Sequence, residues 1–366
     1  MRLRLAIVSL LLILCVPAVA SATTWRAVKL PPHASLSAVS CLEVNWCEAV
    51  GGWQNRLEEA HWNGRSWTVS TKLPNRRSSS LSAIACRSRR FCIAVGNVAP
   101  GQFKPVEPLI ERWDGHRWRV DSAPKPQAPK GYRAMNTRLY GVACPGAKLC
   151  FAVGQAVPFG AGAAPGVPLI ERWDGRRWHL MSGARGAQSP LMSVSCTSTR
   201  ACTAVGSFRH VVGNPTANNE QTEYPVTIER WDGSRWSAQS VAPPAGTPGV
   251  QLFGVSCTSA TACAAAGSAG PSLTATWNGG GWTAQTLTGP PGGRLNAIAC
   301  QTSASCMAVG QWTSADGRTG PLSAFWNGTG WAQTVIHRGP TWLTSVSCPA
   351  LGWCMAVGST IAEIWR

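Results

Sequence analysis

Seven copies of one plan run through this chain, and a repeat of that kind leaves few folds open. Each copy opens on L-x-x-V-x-C or a close variant and reaches a second cysteine after five residues. It then continues C-x-A-V-G and ends on W-N/D-G-x-x-W. Leu191 to Trp236 shows the whole unit, from L-M-S-V-S-C to E-R-W-D-G-S-R-W. The cysteine pairs are Cys41/Cys47, Cys86/Cys92, Cys144/Cys150, Cys196/Cys202, Cys257/Cys263, Cys300/Cys306 and Cys348/Cys354, which leaves only Cys15 of the 15 cysteines unpaired. Six tryptophan pairs follow: Trp62/Trp67, Trp113/Trp118, Trp173/Trp178, Trp231/Trp236, Trp277/Trp282 and Trp326/Trp331. A seventh is split between the termini. Trp365 stands where a first tryptophan belongs, and Trp25 where a second one belongs.

First cysteines lie 43 to 61 residues apart. Periods of that length with several short strands each predict propeller blades. The split unit predicts a closed ring in which an N-terminal strand completes the last blade, so that no strand edge is left open. The expected fold is therefore all-β: a seven-bladed β-propeller over 23–366, with four antiparallel strands, a to d, in each blade. Strand a is L-x-x-V-x-C, strand b C-x-A-V-G, strand c the apolar run into the first tryptophan, and strand d the run from the second. β-Branched and aromatic residues bounded by Gly, Asn, Asp and Pro support strands. No stretch carries a sustained helical period.

Residues 1–22 read as a secretory signal, with Arg2 and Arg4, an apolar run Leu5 to Val16, and Ala20-Ser21-Ala22 as the cleavage site. The run is too short to span a bilayer comfortably, and Leu14 before Cys15 is large for a lipidation site. No later stretch is long and apolar enough to cross a membrane, so the expected product is exported and monomeric. In that compartment each C-x5-C reads as a disulfide across the a–b hairpin, where opposed Cα atoms lie roughly 4.5–5.5 Å apart. Metal binding is the rival reading, but structural zinc sites use shorter spacings. No cofactor or metal is expected.

The net charge is +17, or +15 once Arg2 and Arg4 leave with the signal. The basic residues are scattered, without a Lys/Arg stripe interleaved with aromatics, which argues against nucleic acid as a partner. The Asn/Asp-Gly step predicts a tight c–d turn. A two-residue turn pairs Trp113 with His116; a four-residue loop pairs Trp113 with Trp118. Either register puts both rings on one face. They then form a packing ladder between blades or a ring of sugar-stacking platforms.

The repeat resembles that of secreted actinobacterial propeller proteins built from S-V-S-C-x5-C-x-A-V-G and W-N-G-x-x-W units, over the whole mature chain. The c–d turn is also similar to the Asp-box of sialidase-like propellers, D-x-G-x-x-W, although here it is one residue shorter. The Asp-box is a fold element, so that resemblance implies no catalytic residue.

In an a–b–c–d meander the a–b and c–d turns share one face of the disc, and the variable b–c and d–a connections share the other. Long b–c loops fall in units two to four. Recognition usually resides in variable loops on a rigid scaffold, which points to Phe103, Lys104, Phe159, Phe208, Arg209, His210, Asn214, Asn218, Asn219 and Glu220. Trp53 and Trp312, outside the repeat pattern in b–c loops, are candidates for ligand stacking. The alternative is that these loops merely cover strand edges. On the other face, the residues before the second cysteines include the bulky Trp353, Trp46, Phe91 and Leu149. They form an apolar arc that is either a partner surface or seam packing.

Little favours chemistry. Acidic residues number 16 and histidines six. Glu111, Glu171, Glu229 and Glu363 recur at one repeat position, which argues for structure, and Arg112, Arg172 and Arg230 beside three of them read as ion pairs or tryptophan stackers. The tyrosines are Tyr132, Tyr140 and Tyr224. No G-x-S-x-G, H-E-x-x-H or phosphate loop is present. His210 with Glu220 is the one acid–base combination. The expected function is binding, of cell-envelope or environmental polysaccharide first and of a cell-surface protein second. A sialidase-like glycan hydrolase or lyase is the enzyme alternative.

Overall fold

The computed structural model describes residues 24–32, 34–53, 56–70, 73–74, 78–160, 166–185, 189–207, 210–212, 221–223, 225–336 and 341–366. Residues 1–22, read above as a signal, and with them Cys15, lie outside the described residues. The described residues contain strands and turns but no helix, and none of their elements is a helix able to cross a membrane.

Seven four-stranded antiparallel sheets form the seven blades of a β-propeller, each blade strand pairing with the next in a–b–c–d order. In blade 4, strand a is Ser193–Ser198, b Ala201–Ser207, c Val226–Trp231 and d Trp236–Gln239. Blade 7 takes its outer strand from the other end of the chain. Trp25–Val28 pairs with Ala362–Trp365 in the register Trp25↔Trp365 through Val28↔Ala362. Blade 7 in turn meets blade 1, where the Val39 and Cys41 amides donate to the Ser345 and Ser347 hydroxyls.

One transverse row explains most of the repeat. In blade 4 the register runs Cys196↔Cys202, Cys202↔Trp231 and Trp231↔Trp236 across all four strands. Every second cysteine faces a first tryptophan in the same way, down to Cys354↔Trp365. All seven predicted disulfides form, with Cα atoms 3.9–4.1 Å apart, closer than an ordinary opposed pair. In blades 1, 2, 3, 4 and 6 the first tryptophan donates its indole N–H to an a–b turn carbonyl, as Trp62 does to Val44 and Trp231 to Thr199 at 3.1 Å. That bond ties the c–d turn to the a–b turn on the same face.

The bridges cross the a–b hairpins as expected, and one end of each is also part of the core. Cys47, Cys92 and Cys150 are fully buried, at 0% exposure, and sit in the apolar clusters of blades 1, 2 and 3. Their partners Cys41, Cys86 and Cys144 are only half-buried. The asymmetry follows from strand order: strand b lies between strands a and c and is covered by the neighbouring blades. Cys47, Cys92 and Cys150 are therefore packing residues as well as bridge ends, and no ligand reaches them. A buried sulfur behaves as a small apolar group, so losing one of these bridges also disturbs the seam packing.

The four-residue c–d loop is the register adopted, and it seats the tryptophans of each pair opposite one another. The turn residue explains the choice. Asp232 Oδ1 accepts the Ser234 and Arg235 amides at 2.8 and 2.9 Å, and Asn63, Asp114, Asp174, Asn278 and Asn327 repeat the pattern. Such Asx turns mimic a backbone turn. They need glycine next, because that residue adopts φ near +94° in five turns and +101° at Gly233. The amide bonds lower the Asp114 and Asp174 pKa values and, with the Ser234 hydroxyl, bring that of Asp232 to about 2.

The repeated A-V-G has a steric cause. A Cβ on Gly206 would overlap the Pro190 carbonyl oxygen, and the equivalent glycines from Gly51 to Gly358 each meet a carbonyl at the start of strand a in this way. The close approach accompanies a bulge: the register skips one residue after the fully buried leucine of strand a in blades 1, 2, 3, 5 and 6. The tryptophan pairs pack between blades. Ring centroids within a pair lie 5.7–5.9 Å apart, and Trp67, Trp118, Trp178, Trp236 and Trp282 are buried. A ring of sugar-stacking platforms is thereby ruled out for those rings. The apolar arc is seam packing as well: Trp46 and Leu149 are buried against the next blade.

Replacing Gly206 with alanine is expected to cost roughly 1–3 kcal/mol through overpacking. Trp236→Ala is expected to cost about 3–5 kcal/mol, and the Cys196→Ser/Cys202→Ser pair about 2 kcal/mol. Equilibrium denaturant unfolding of the three variants checks the order.

Candidate functional site at the channel mouth

The seven innermost strands surround an axial channel, and a cavity of about 370 Å³ opens among them. The residue directly after each strand a leucine is the one that changes from repeat to repeat: Ser37, Ser82, Tyr140, Met192, Phe253, Asn296 and Thr344. All but Ser37 line the cavity. They stand at the start of strand a, hence on the face of the b–c and d–a connections. At Ser37, Ser82, Tyr140, Phe253 and Asn296 the bulge leaves the residue out of the ladder. A bulge of this kind re-aims its side chain, so the scaffold presents a ring of freely variable positions at the mouth.

That ring is aromatic and cationic on one side. The Arg294 guanidinium lies 3.8 Å from the Phe253 ring centroid and donates to Asn296 Oδ1 at 3.0 Å. Asn296 passes a hydrogen bond on to the Leu343 carbonyl at 2.9 Å, and Thr344 donates to the Ser37 carbonyl at 2.8 Å. The chain of contacts therefore runs from blade 5 round to blade 1. Desolvation lowers the Arg294 pKa, but a guanidinium keeps its charge at neutral pH. Burial raises the Tyr140 pKa, so its phenol stays protonated, and Arg138 is close enough to offset part of that shift. Carboxylates elsewhere on this face are engaged: Glu58 accepts the Ser35 amide at 2.8 Å, and Glu107 accepts from Lys125 at 2.6 Å. The mouth thus offers aromatic surface, hydroxyl and amide groups, and the positive charge of Arg294, for which no ion pair is present among the described residues.

Of the loop candidates, only some fall among the described residues. Phe103 is 85% exposed, and Lys104 beside it is exposed too. Phe159 is half-buried in a turn after strand b of blade 3. Phe208, Arg209, Asn214, Asn218, Asn219 and Glu220 lie outside the described residues. His210 begins a short ribbon, His210–Val212 paired with Gln221–Glu223. Trp53 and Trp312 belong to strands rather than loops. Trp53 pairs with Arg56 and Trp312 with Gly320, so strands b and c run further here than the repeat indicates. The Trp312 ring covers Gly320 and packs on the blade 6 core. Sequence reasoning passed over Phe253, Met192, Asn296 and Arg294. The available signal was the variable position inside an otherwise constant motif.

Burial raises the pKa of Glu171 to about 8 and that of Glu229 to about 7, the latter offset in part by the Ala184 amide. Such values suit a general acid, but both groups lie in blade seams away from the mouth. Glu171 is wholly buried and lacks a hydrogen-bond partner among the described residues. Two arginines of the E-R-W-D-G motif, Arg112 and Arg230, are seam contacts. Arg112 binds Asp121 at 2.9 and 3.1 Å and stacks 5.3 Å from Trp173 of the next blade, while Arg230 stacks 4.5 Å from Trp277. The described residues hold no group of three potential metal ligands.

No family model and no curated protein matches this chain. Solved structures do match. YCF48 bound to D1 peptide aligns at 15% identity over 93% of this chain and 96% of that one, with a TM-score of 0.56. A streptogramin B lyase structure aligns at 10% identity over 94% and 97%, with a TM-score of 0.61. The WD40 β-propeller domain of Doa1 aligns at 11% identity over 93% and 97%, with a TM-score of 0.57. Identities this low establish a shared fold alone.

The buried glutamates give a pH signature. Their folded pKa values exceed the unfolded 4.5, so the stability they contribute is complete below pH 4.5 and is lost as pH rises through 7 to 8. The melting temperature is expected to fall between pH 5 and 9, by an amount equivalent to a few kcal/mol, and Glu171→Gln is expected to flatten the fall. A scanning-calorimetry pH series on both proteins checks this.

Proposed function

We propose that the protein is an exported recognition scaffold that binds an extended, acidic polypeptide segment at the channel mouth. The observation that carries this is the ring of residues after the strand a leucines, variable within a constant repeat, with Phe253 of that ring in contact with Arg294 at 3.8 Å. Aromatic and arginine side chains dominate protein-recognition hot spots, and a net charge of +17 favours an anionic partner. The likeness of fold to YCF48 bound to D1 peptide supports a peptide ligand. Seven disulfides support an oxidising compartment, in keeping with the export signal read at residues 1–22.

A second reading is a polysaccharide held by the b–c loops, favoured by the exposed ring of Phe103. Peptide and glycan arrays probed with the mature protein separate the two. Capture of acidic peptides is expected, weakened at least tenfold in Arg294→Ala and in Phe253→Ala and weakened further by salt. Glycan capture that survives both substitutions but is lost in Phe103→Ala would establish the polysaccharide reading instead.

A further inference from the structure

Each seam between blades is filled from two positions of the preceding blade: the residue before the second cysteine and the residue before the first tryptophan. Blade 1 uses Trp46 with His61, whose rings lie 5.7 Å apart. Blade 4 has only Ala201 at the first position but fills the space with Arg230. Blade 6 has only Ser305 but supplies Phe325, 4.9 Å from Trp365. Blade 5 alone is small at both, with Ala262 and Thr276. A cavity of about 240 Å³ opens there, between blades 5 and 6.

The cavity has the form of a vacated arginine slot. In the preceding seam Arg230 stacks on Trp277 at 4.5 Å. It also donates to the Ala260 carbonyl at 2.6 Å and to Thr203 Oγ1 at 3.2 Å, and passes 4.0 Å from Cys263 Sγ. One blade further on, the matching residues are Trp326, Ser303, Ala264 and Cys306. All four line the cavity. The Ser303 carbonyl already accepts the Trp326 indole, but a carbonyl has a second lone pair. The Trp277 indole N–H, on the opposite wall, has no partner among the described residues. Thr276 adds a hydroxyl at the entrance, which is exposed.

We propose that this slot receives a guanidinium from outside the chain, the arginine side chain of a partner polypeptide. The local charge permits it. No Lys or Arg occurs between Arg235 and Arg294, or between Arg294 and Arg318, so blades 5 and 6 place no cation of their own in the slot; the Arg230 guanidinium of blade 4 is engaged in the preceding seam, stacked on Trp277 and bonded to the Ala260 carbonyl. An arginine stacked on an aromatic face and bonded to a carbonyl matches the contacts that Arg230 makes internally. The slot opens on the face opposite the channel mouth, so this inference stands apart from the proposed peptide site.

Indole proton–nitrogen NMR of the mature protein, titrated with N-acetyl-arginine amide, tests it. The expected result is a saturable shift of the Trp277 and Trp326 indoles, with the lysine counterpart binding roughly fivefold or more weakly because it lacks the planar fork. Thr276→Arg is expected to fill the slot in cis, remove the response and raise the melting temperature. Ala262→Phe, which copies the filler of blade 2, is a second blocking variant should the first fail to fold. Absence of a saturable shift in the wild type, equal binding of the lysine compound, or an undiminished response in both blocked variants would overturn the proposal.

Discussion

The pairing of Trp25–Val28 with Ala362–Trp365 is the constraint on which the structure depends. It joins the two ends of the described chain into one blade, and through that blade it closes the ring. An open row of six and three-quarter blades would expose one sheet edge and one unpacked blade face. Closure also fixes the neighbours. It places blade 7 against blade 1, where the Thr344 hydroxyl reaches the Ser37 carbonyl at 2.8 Å, and so completes the circle of strand starts that forms the channel mouth.

Within each blade, stability is local and repeated. The disulfide, the facing first tryptophan and the second tryptophan occupy one transverse row, tied in five blades by an indole bond to the a–b turn and capped by an Asx turn in the six blades that have a c–d turn. Repeat proteins sum such terms blade by blade. The consequence for function is a division of labour. The turn face is given over to the row that holds each blade together. The opposite face, bounded by connections of unequal length, is free to vary.

Several features that suggest chemistry prove to be seam packing. The glutamates of E-R-W-D-G are buried between blades, and the arginines beside two of them stack on the tryptophan of the next blade. Raised carboxyl pKa values follow from that burial and need no substrate to explain them. What remains exposed and concentrated is the aromatic and cationic mouth, whose side chains suit recognition.

The repeat itself made the blade number, the disulfide pairing and the split blade legible, because each rests on contacts between residues close in sequence or at the same position of successive units. It did not show that Cys47, Cys92 and Cys150 would be sealed in the core, because that burial comes from the neighbouring blades. Periodicity also placed the tryptophans on one face of the hairpin, but not their register, which the Asx cap at Asp232 and its counterparts decided. The site was hidden for a physical reason. Phe253, Arg294 and Asn296 belong to two successive repeats and are ordinary within each one. Only the closing of the ring brings them to a common mouth, and the bulge after the buried leucine sets Phe253 and Asn296 out of the ladder there. In the same way Ala262 and Thr276 look unremarkable alone; that two small side chains leave one seam open depends on what the next blade presents across it.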